Sequence, residues 1–322
     1  MSTVGVVVMA YGTPARPEDL EAYYTHIRGG RAPDAGQLDD LRRRYDAIGG
    51  SSTLAERTAA QVAAITAALH RISPERFVVA LGQKHAPPFI EDAVDTLASR
   101  GVSTVVGVVL APHYSRSSVG EYHRRAAERV NGNADSPLAY VGVDSWYDLP
   151  SFIEHQAAAL REALATVEAE TSTPAAGQPG ETAVVFTAHS LPERALVGDP
   201  YPAQLEEGAR HIAAAAGLDP STGWSLAWQS AGRTPDPWRG PDITEVVDDL
   251  AASGHVDAIV VVPHGFTTDH LEVAYDLDLE TARRARALGL RFARAAVVDD
   301  DPAVMGGLAA RIVASAAAAP TS

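Results

Sequence analysis

The amino-acid sequence predicts an α/β fold in two related halves, on two observations. Short β-branched runs recur along the chain, each followed by a helical pattern, and the residues closing several of those runs repeat in order. The runs are Val4–Met9, Phe77–Leu81, Thr104–Leu110, Leu138–Val143, Thr182–Thr187, Leu226–Gln229, Ala258–Val262 and Phe292–Val298. Continuous apolar runs between longer amphipathic segments predict parallel strands covered by helices on both faces, a doubly wound sheet. Ligands of such sheets bind beyond the carboxyl ends of the strands.

The strand ends carry the repeat. Ala10-Tyr11-Gly12-Thr13-Pro14 is answered by Ala188-His189-Ser190-Leu191-Pro192, and Gly82-Gln83-Lys84 by Trp228-Gln229-Ser230. Ala111-Pro112-His113 is answered by Val262-Pro263-His264, and Glu121 and Glu272 follow those prolines at equal spacing. The first half carries about 32 extra residues between its first two motifs, a segment expected at about 12–50 and expected to cover the cleft. A division near residue 147 predicts domains 1–147 and 148–322, with a linker at Thr171–Gln178 and a frayed tail from Ala316.

Within the insertion, Pro17 opens a helix with Leu20, Tyr24 and Ile27 on one face, and Gly29-Gly30 closes it. A second helix, with Leu38, Leu41, Tyr45 and Ile48 on one face, stops at Gly49-Gly50. Its Arg42, Arg43 and Arg44 read either as a solvated face or as a carboxylate trap, since Arg offers a planar bidentate fork.

Composition excludes whole classes of function. With 322 residues, 26 Lys+Arg against 41 Asp+Glu and a formal charge of −15, the chain lacks the basic balance that a phosphate backbone requires. No cysteine means no disulfide, no thiolate zinc site, no iron–sulfur cluster and no thiol nucleophile. At 46% hydrophobic and 21% charged residues the chain can build a core, so disorder is excluded. Met-Ser-Thr followed by Val4 to Ala10, without a basic flank, predicts a cytoplasmic protein with no cleaved signal and no membrane span.

Candidate chemistry gathers at the strand ends. His189 follows a strand, although Ser190 and Glu193 have capping-box spacing; Glu272 has the same ambiguity after Asp269. Glu272, Asp276 and Glu280 are spaced by four, which on an α-helix stacks like charges along one face, with Asp278 close by. That row is either an exposed acidic face or a binding site for a hydrated divalent cation, and a neutral imidazole beside it suits iron or zinc. Tyr11, the repeat partner of His189, is either a buried aromatic or a phenol ligand. His85, His113, His123, His264 and His270 are weaker candidates, of which no more than one is expected to be a ligand.

Taken together, VMAYGTP at 8–14, YYTHIRGGR at 23–31, RYDAIGGSS at 44–52, GQKHAPPFIEDAV at 82–94, LAPHYS at 110–115, SWYDLP at 145–150, TAHSLPE at 187–193, GDPYP at 198–202, WQSAGRTPDPW at 228–238 and DHLEVAYDLDLE at 269–280 resemble the ferrochelatases, in particular the coproporphyrin-type enzymes of Gram-positive bacteria. The resemblance covers nearly the whole chain. It implies two Rossmann-like domains, each a mainly parallel four-stranded sheet flanked by helices, and insertion of Fe2+ into coproporphyrin III in haem biosynthesis. By the same resemblance His189 and Glu272 are the paired catalytic and metal-site residues. Asp276 and Glu280 continue a row that delivers iron or binds a second divalent cation. Tyr11 matches an axial phenol ligand that tends to mark coproporphyrin users, and Arg28, Arg44, Tyr45, Ser52 and Tyr122 match positions touching the macrocycle or its propionates.

The partners implied are coproporphyrin III, Fe2+ and, transiently, the downstream haem-pathway enzyme; no tightly bound cofactor and no nucleic acid are implied. A neutral His189 is the expected acceptor for pyrrole protons near pH 7. Some actinobacterial relatives carry a cysteine-held iron–sulfur cluster, which this chain cannot build. His264 stands where an apolar residue is expected, either as an added ligand or, preferably, as an echo of His113. The sequence leaves open protoporphyrin IX as substrate, a cobalt or sirohydrochlorin-type chelatase, and a non-enzymatic tetrapyrrole carrier.

Overall fold

A computed structural model describes residues 3–132, 138–170, 181–218 and 223–319. The chain divides into two compact units, Met1–Leu149 with Asp299–Ser322, and Pro150–Val298.

In the first unit β1 (Val4–Ala10) leads through a short 3-10 turn, Pro17–Asp19, into α1 (Leu20–Ile27), α2 (Ala35–Ala47) and α3 (Leu54–Ile72). There follow β2 (Phe77–Gln83), α4 (Ile90–Ser99), β3 (Thr104–Val109), α5 (Val119–Asn131) and β4 (Ala139–Val143). All strand pairs are parallel, in the order β2-β1-β3-β4. Every residue of β1 is buried, as a central strand covered on both faces requires. Ile90, Ala93, Val94 and Leu97 of α4 join Val119, Tyr122, Ala126 and Val130 of α5 in one core beneath the sheet. Burying each large aliphatic chain there contributes roughly 1.5–3 kcal/mol.

The insertion contains the two expected helices. Asp34 and Gln37 form a reciprocal capping box that starts α2. The glycine pairs stop both helices with φ of 66° and 86° at Gly29 and Gly30, and 100° and 90° at Gly49 and Gly50.

The second unit runs α6 (Pro150–Ala169), β5 (Glu181–His189), α7 (Glu193–Leu196), α8 (Tyr201–Ala216), β6 (Trp224–Gln229), α9 (Ile243–Ser253) and β7 (Val256–Val262). A single turn, α10 (Leu271–Val273), continues into a wide π-helix, Ala274–Thr281, then α11 (Ala282–Ala287) and β8 (Arg291–Arg294). The order is β6-β5-β7-β8, again all parallel, so the two sheets share one topology. In each, the order reverses beside the first strand, between β1 and β3 and between β5 and β7; that switch point opens a crevice at the strands' carboxyl ends.

Three expectations change. The final strand ends at Arg294 rather than Val298, because β7, the strand it pairs with, ends at Val262. The last helix, α12 (Pro302–Ala318), packs on α3 and groups with the first unit, where the sequence division ran the second domain to the C-terminus. Its Val304, Met305, Leu308, Ala309 and Ile312 are buried, so helix continues through the segment expected to fray from Ala316. The linker at Thr171–Gln178 and residues 320–322 lie outside the described residues. No helix among the described residues is long and apolar enough to cross a membrane.

Candidate active site

His189 is the last residue of β5 and Glu272 lies on α10, after β7, so the switch point of the second sheet brings them together. His189 Nε2 lies 3.5 Å from Glu272 Oε1, and each side chain keeps about a third of its surface exposed. The other ring nitrogen, Nδ1, donates to the Ser190 carbonyl, which fixes the ring with Nε2 toward the carboxylate. Backbone atoms of both residues are held in turn. Tyr201 donates its hydroxyl to the His189 carbonyl at 3.3 Å, and Gln229 donates Nε2 to the Glu272 carbonyl at 2.9 Å.

The second Glu272 oxygen lies 3.7 Å from Nε2 of His270, so one carboxylate sits between two imidazoles. Burial works against charge on His189, but Glu272 beside it and Asp276 farther away raise it to about 9. His189 is therefore an imidazolium at neutral pH, where the sequence reading took it as a neutral base. Burial outweighs Glu272 at His270 and lowers that ring below the usual imidazole range.

Neither capping arrangement forms. Ser190 donates its hydroxyl to the Arg239 carbonyl, and Pro192 and His270 cap α7 and α10 without a side-chain bond. Glu272 and Ser190 are thereby committed to tertiary contacts instead of helix entry.

The acidic row continues on a π-helix rather than an α-helix. Beyond Val273 the winding widens, and Thr281 Oγ1 donates to the Asp276 carbonyl at 2.6 Å, five residues back. Glu272 is half-buried, Asp276 buried and Glu280 exposed. Ser230 donates to Asp276 Oδ2 at 2.5 Å, whereas Asp278 is paired by Arg294 at 2.6 Å. Among the described residues no three His, Asp or Glu side chains stand together so as to hold a metal ion.

Side-chain pairing adds to the repeat. In the first unit the residue after β2, Lys84, donates to Glu121 at 2.7 Å; in the second the residue after β6, Ser230, donates to Asp276. Glu121 and Asp276 thus each accept from the residue that follows the second strand of their own sheet. An internal ammonium balances the carboxylate in one half, and a neutral hydroxyl meets it in the other.

The remaining sequence candidates lie in the first unit. Tyr11 follows β1 and is 42% exposed, which removes the buried-aromatic alternative. Its ring packs on His85 with centroids 4.6 Å apart, and His85 Nδ1 is hydrogen-bonded to His26 Nδ1 at 3.0 Å. Gly12 turns the chain back at φ 91°, where a Cβ would come within 2.9 Å of Ala86 Cβ. Tyr45 is buried and its hydroxyl meets Thr13 Oγ1 at 3.2 Å. Ser52 accepts from the Leu54 amide at 3.2 Å, and Tyr122 is buried beneath the Lys84 ammonium.

Arg42 and Arg43 bond Asp39 and Asp40 one turn back, and Arg44 also meets Asp40, so the basic cluster on α2 is largely a solvated, self-paired face. His113 and His264 are both buried, stacked on Tyr147 and edge-on to Phe186, respectively, with His264 donating to the Leu205 carbonyl at 3.1 Å. His264 is the echo of His113.

Sequence reasoning named His270 only as a weaker candidate, and missed Tyr201 and Gln229 as neighbours of the pair and Ser230 as the partner of Asp276. The repeat singled out Gln229 and Ser230 as strand-end residues, a signal that carried no role until the fold brought them to Glu272 and Asp276.

A family model described as Ferrochelatase matches residues 3–316. The chain is 42% identical over 315 residues to the coproporphyrin III ferrochelatase of Geobacillus thermodenitrificans (strain NG80-2), across 95% of this chain and 94% of that one. To the coproporphyrin III ferrochelatase of Bacillus subtilis (strain 168) it is 41% identical over 311 residues, across 95% and 96% of the two chains. Among solved structures it is similar to SirB from Bacillus subtilis with Fe3+, at a TM-score of 0.54 and 13% identity, covering 98% of this chain and 96% of that one. The sirohydrochlorin chelatase SirB from Bacillus subtilis subspecies spizizenii in complex with cobalt gives a TM-score of 0.52 at 10% identity, with coverage of 98% and 96%. At such identities the likeness is one of fold.

Proposed function

Because the chain belongs to the ferrochelatase family, we propose that it inserts Fe2+ into coproporphyrin III to give the iron porphyrin in haem biosynthesis, a lyase reaction of the metal-chelatase type. The observation that carries this reading is the His189–Glu272 pair at 3.5 Å on the switch point of the second sheet. It occurs in a chain about two-fifths identical to coproporphyrin III ferrochelatases over 95% of its length.

The reaction takes up one Fe2+ and releases the two pyrrole N–H protons, so metal capture and proton removal must be coupled. Glu272 serves both: an arriving cation competes with the His189 imidazolium for the same carboxylate, and the ring loses its proton to solvent as that stabilising charge is withdrawn. The neutral imidazole is then a base for one pyrrole proton while the other leaves to solvent. The Ser190 carbonyl keeps that ring aimed throughout. In the first unit Tyr11 is assigned to the metal's axial position, and Arg28, Arg44, Tyr45, Ser52 and Tyr122 to the macrocycle and its propionates.

We further infer a second hydrated divalent cation along Asp276 and Glu280, supported by a carboxylate row that runs from a buried to an exposed residue. Brief contact with the enzyme that takes the product, and action in the cytoplasm, complete the reading.

The test is anaerobic mixing with Fe2+ and either coproporphyrin III or protoporphyrin IX, followed in the Soret and Q bands. Collapse of the four free-base Q bands to two, faster with coproporphyrin III, is the expected result. Porphyrin binding without metallation would make the protein a carrier, and metallation of sirohydrochlorin alone would make it a related chelatase.

A further inference from the structure

The ring of Tyr11 needs holding. It follows β1 with 42% of its surface exposed, so burial alone does not fix it, and a phenol that must meet one point in space has rotamer freedom to lose. His85, two residues past β2, supplies the first hold. Its amide donates to the Tyr11 carbonyl at 2.9 Å, and its ring lies against the phenol with centroids 4.6 Å apart and planes tilted by 55°. His85 is gripped in turn from the inserted segment: its Nδ1 and that of His26 are 3.0 Å apart, and the two ring centres are 5.2 Å apart. Those two distances together set nitrogen facing nitrogen, a directed N–H···N hydrogen bond and not a sideways contact. One Nδ1 carries the proton and the other accepts it.

His26 belongs to α1, the first helix of the insertion, and is itself stacked on Phe89 with centroids 5.3 Å apart and planes within 22°. Three residues earlier on the same helix, and so beside it on one face, Tyr23 donates its hydroxyl to the Gly12 carbonyl at 2.9 Å. The helix therefore reaches the turn after β1 twice, once at the Gly12 backbone and once through the His85 ring beside Tyr11. The second unit meets the matching need differently: His189, the repeat partner of Tyr11, is oriented by the carbonyl of its own neighbour, Ser190. In the first unit the orienting ring comes from the segment that the second half lacks.

We propose that His26, acting through His85, is a positioning residue that holds the Tyr11 phenol in line for the metal, so that the inserted helix sets how strongly the protein prefers the iron porphyrin to the metal-free one. The proposal rests on the reading that Tyr11 is the axial ligand. An ordinary hydrogen bond is worth about fivefold in an equilibrium constant, which sets the size of the effect.

The test reads binding twice, with ferric coproporphyrin III and with free-base coproporphyrin III, because only the first offers an axial position. The resonance Raman modes of an iron phenolate report the ligand itself. His26→Phe keeps the stack on Phe89 and removes the nitrogen. It should weaken ferric coproporphyrin III about fivefold and diminish the phenolate modes, with free-base binding within about twofold of wild type. His26→Asn places an amide where Nδ1 stood and should restore most of the loss. Tyr11→Phe should abolish the modes, and the Tyr11→Phe, His26→Phe double variant should lose no more than Tyr11→Phe alone, because one residue acts through the other.

Equal weakening of the free base and the ferric porphyrin in His26→Phe, or losses that multiply in the double variant, would overturn the positioning role. Full affinity and full phenolate modes in His26→Phe, with the modes gone in Tyr11→Phe, sink the role of His26 and leave the reading of Tyr11 intact. Phenolate modes that survive in Tyr11→Phe refute that reading and the proposal with it. If the modes respond as expected while wild-type protein inserts no Fe2+, the function fails and the positioning role stands.

Discussion

Glu272 carries more than one duty, and substitutions can tell them apart. It faces His189 at 3.5 Å and His270 at 3.7 Å, while its backbone carbonyl is held by Gln229. Glu272→Gln keeps the shape and the backbone bond but removes the charge; His189→Ala removes the imidazole. Both should cut iron insertion by about 10²-fold or more, in the range expected for a general acid–base group, while coproporphyrin III binding without iron stays within a few-fold. Retained turnover in either variant would remove the pair from the chemistry. His264 makes the contrasting case of a buried histidine with a purely structural task. Burial lowers it to about 4, against roughly 6.5 in the unfolded chain. Between those values the unfolded state takes a proton that the folded state refuses, so stability is lost as pH falls from about 6.5 to 4, by on the order of 3 kcal/mol from this group. His264→Gln retains a donor for the Leu205 carbonyl and does not titrate. Denaturant unfolding across that range should therefore be flatter for the variant than for wild type.

At the scale of elements, spacing was a sound guide wherever the backbone kept its ordinary period. The glycine pairs that stop α1 and α2 were legible, because only glycine enters the left-handed region cheaply. So were the eight strands, whose apolar runs follow from burial on both faces. The acidic row was read on an α-helix, whereas the winding past Val273 is π. Nothing in Ala274–Thr281 marks wider winding, within which the Thr281 hydroxyl bonds the Asp276 carbonyl five residues back. Capping boxes at Ser190 and Asp269 failed for a related reason: the motif is local, but the side chains found tertiary partners. Thr281→Val tests the element directly. Loss of that hydrogen bond should cost about 1 kcal/mol, seen as a fall of a few degrees in the melting temperature, and slow iron insertion without weakening porphyrin binding. An unchanged melting temperature and rate would show that the wide turn does not depend on Thr281.

Across the whole molecule, duplication of an α/β sheet accounts for both strand orders, and it was readable because strand ends repeat even where most residues have diverged. The boundary was harder. α12 packs on α3 and belongs to the first unit, although its apolar spacing reads equally well as the closing helix of the second half. A chain that stops before Pro302 should lose amide-exchange protection in α3 and the first sheet, while β5 to β8 keep theirs; uniform loss in both sheets would contradict the grouping. The same helix orders events on the ribosome. The second unit is inserted within the first, so α3 leaves the exit tunnel long before the helix that covers it has been translated. At roughly 5–20 residues per second that wait is on the order of tens of seconds. During it an apolar face made for α12 is open to chaperones, and the half-chain proposed to grip the porphyrin is finished only after the half-chain proposed to handle iron.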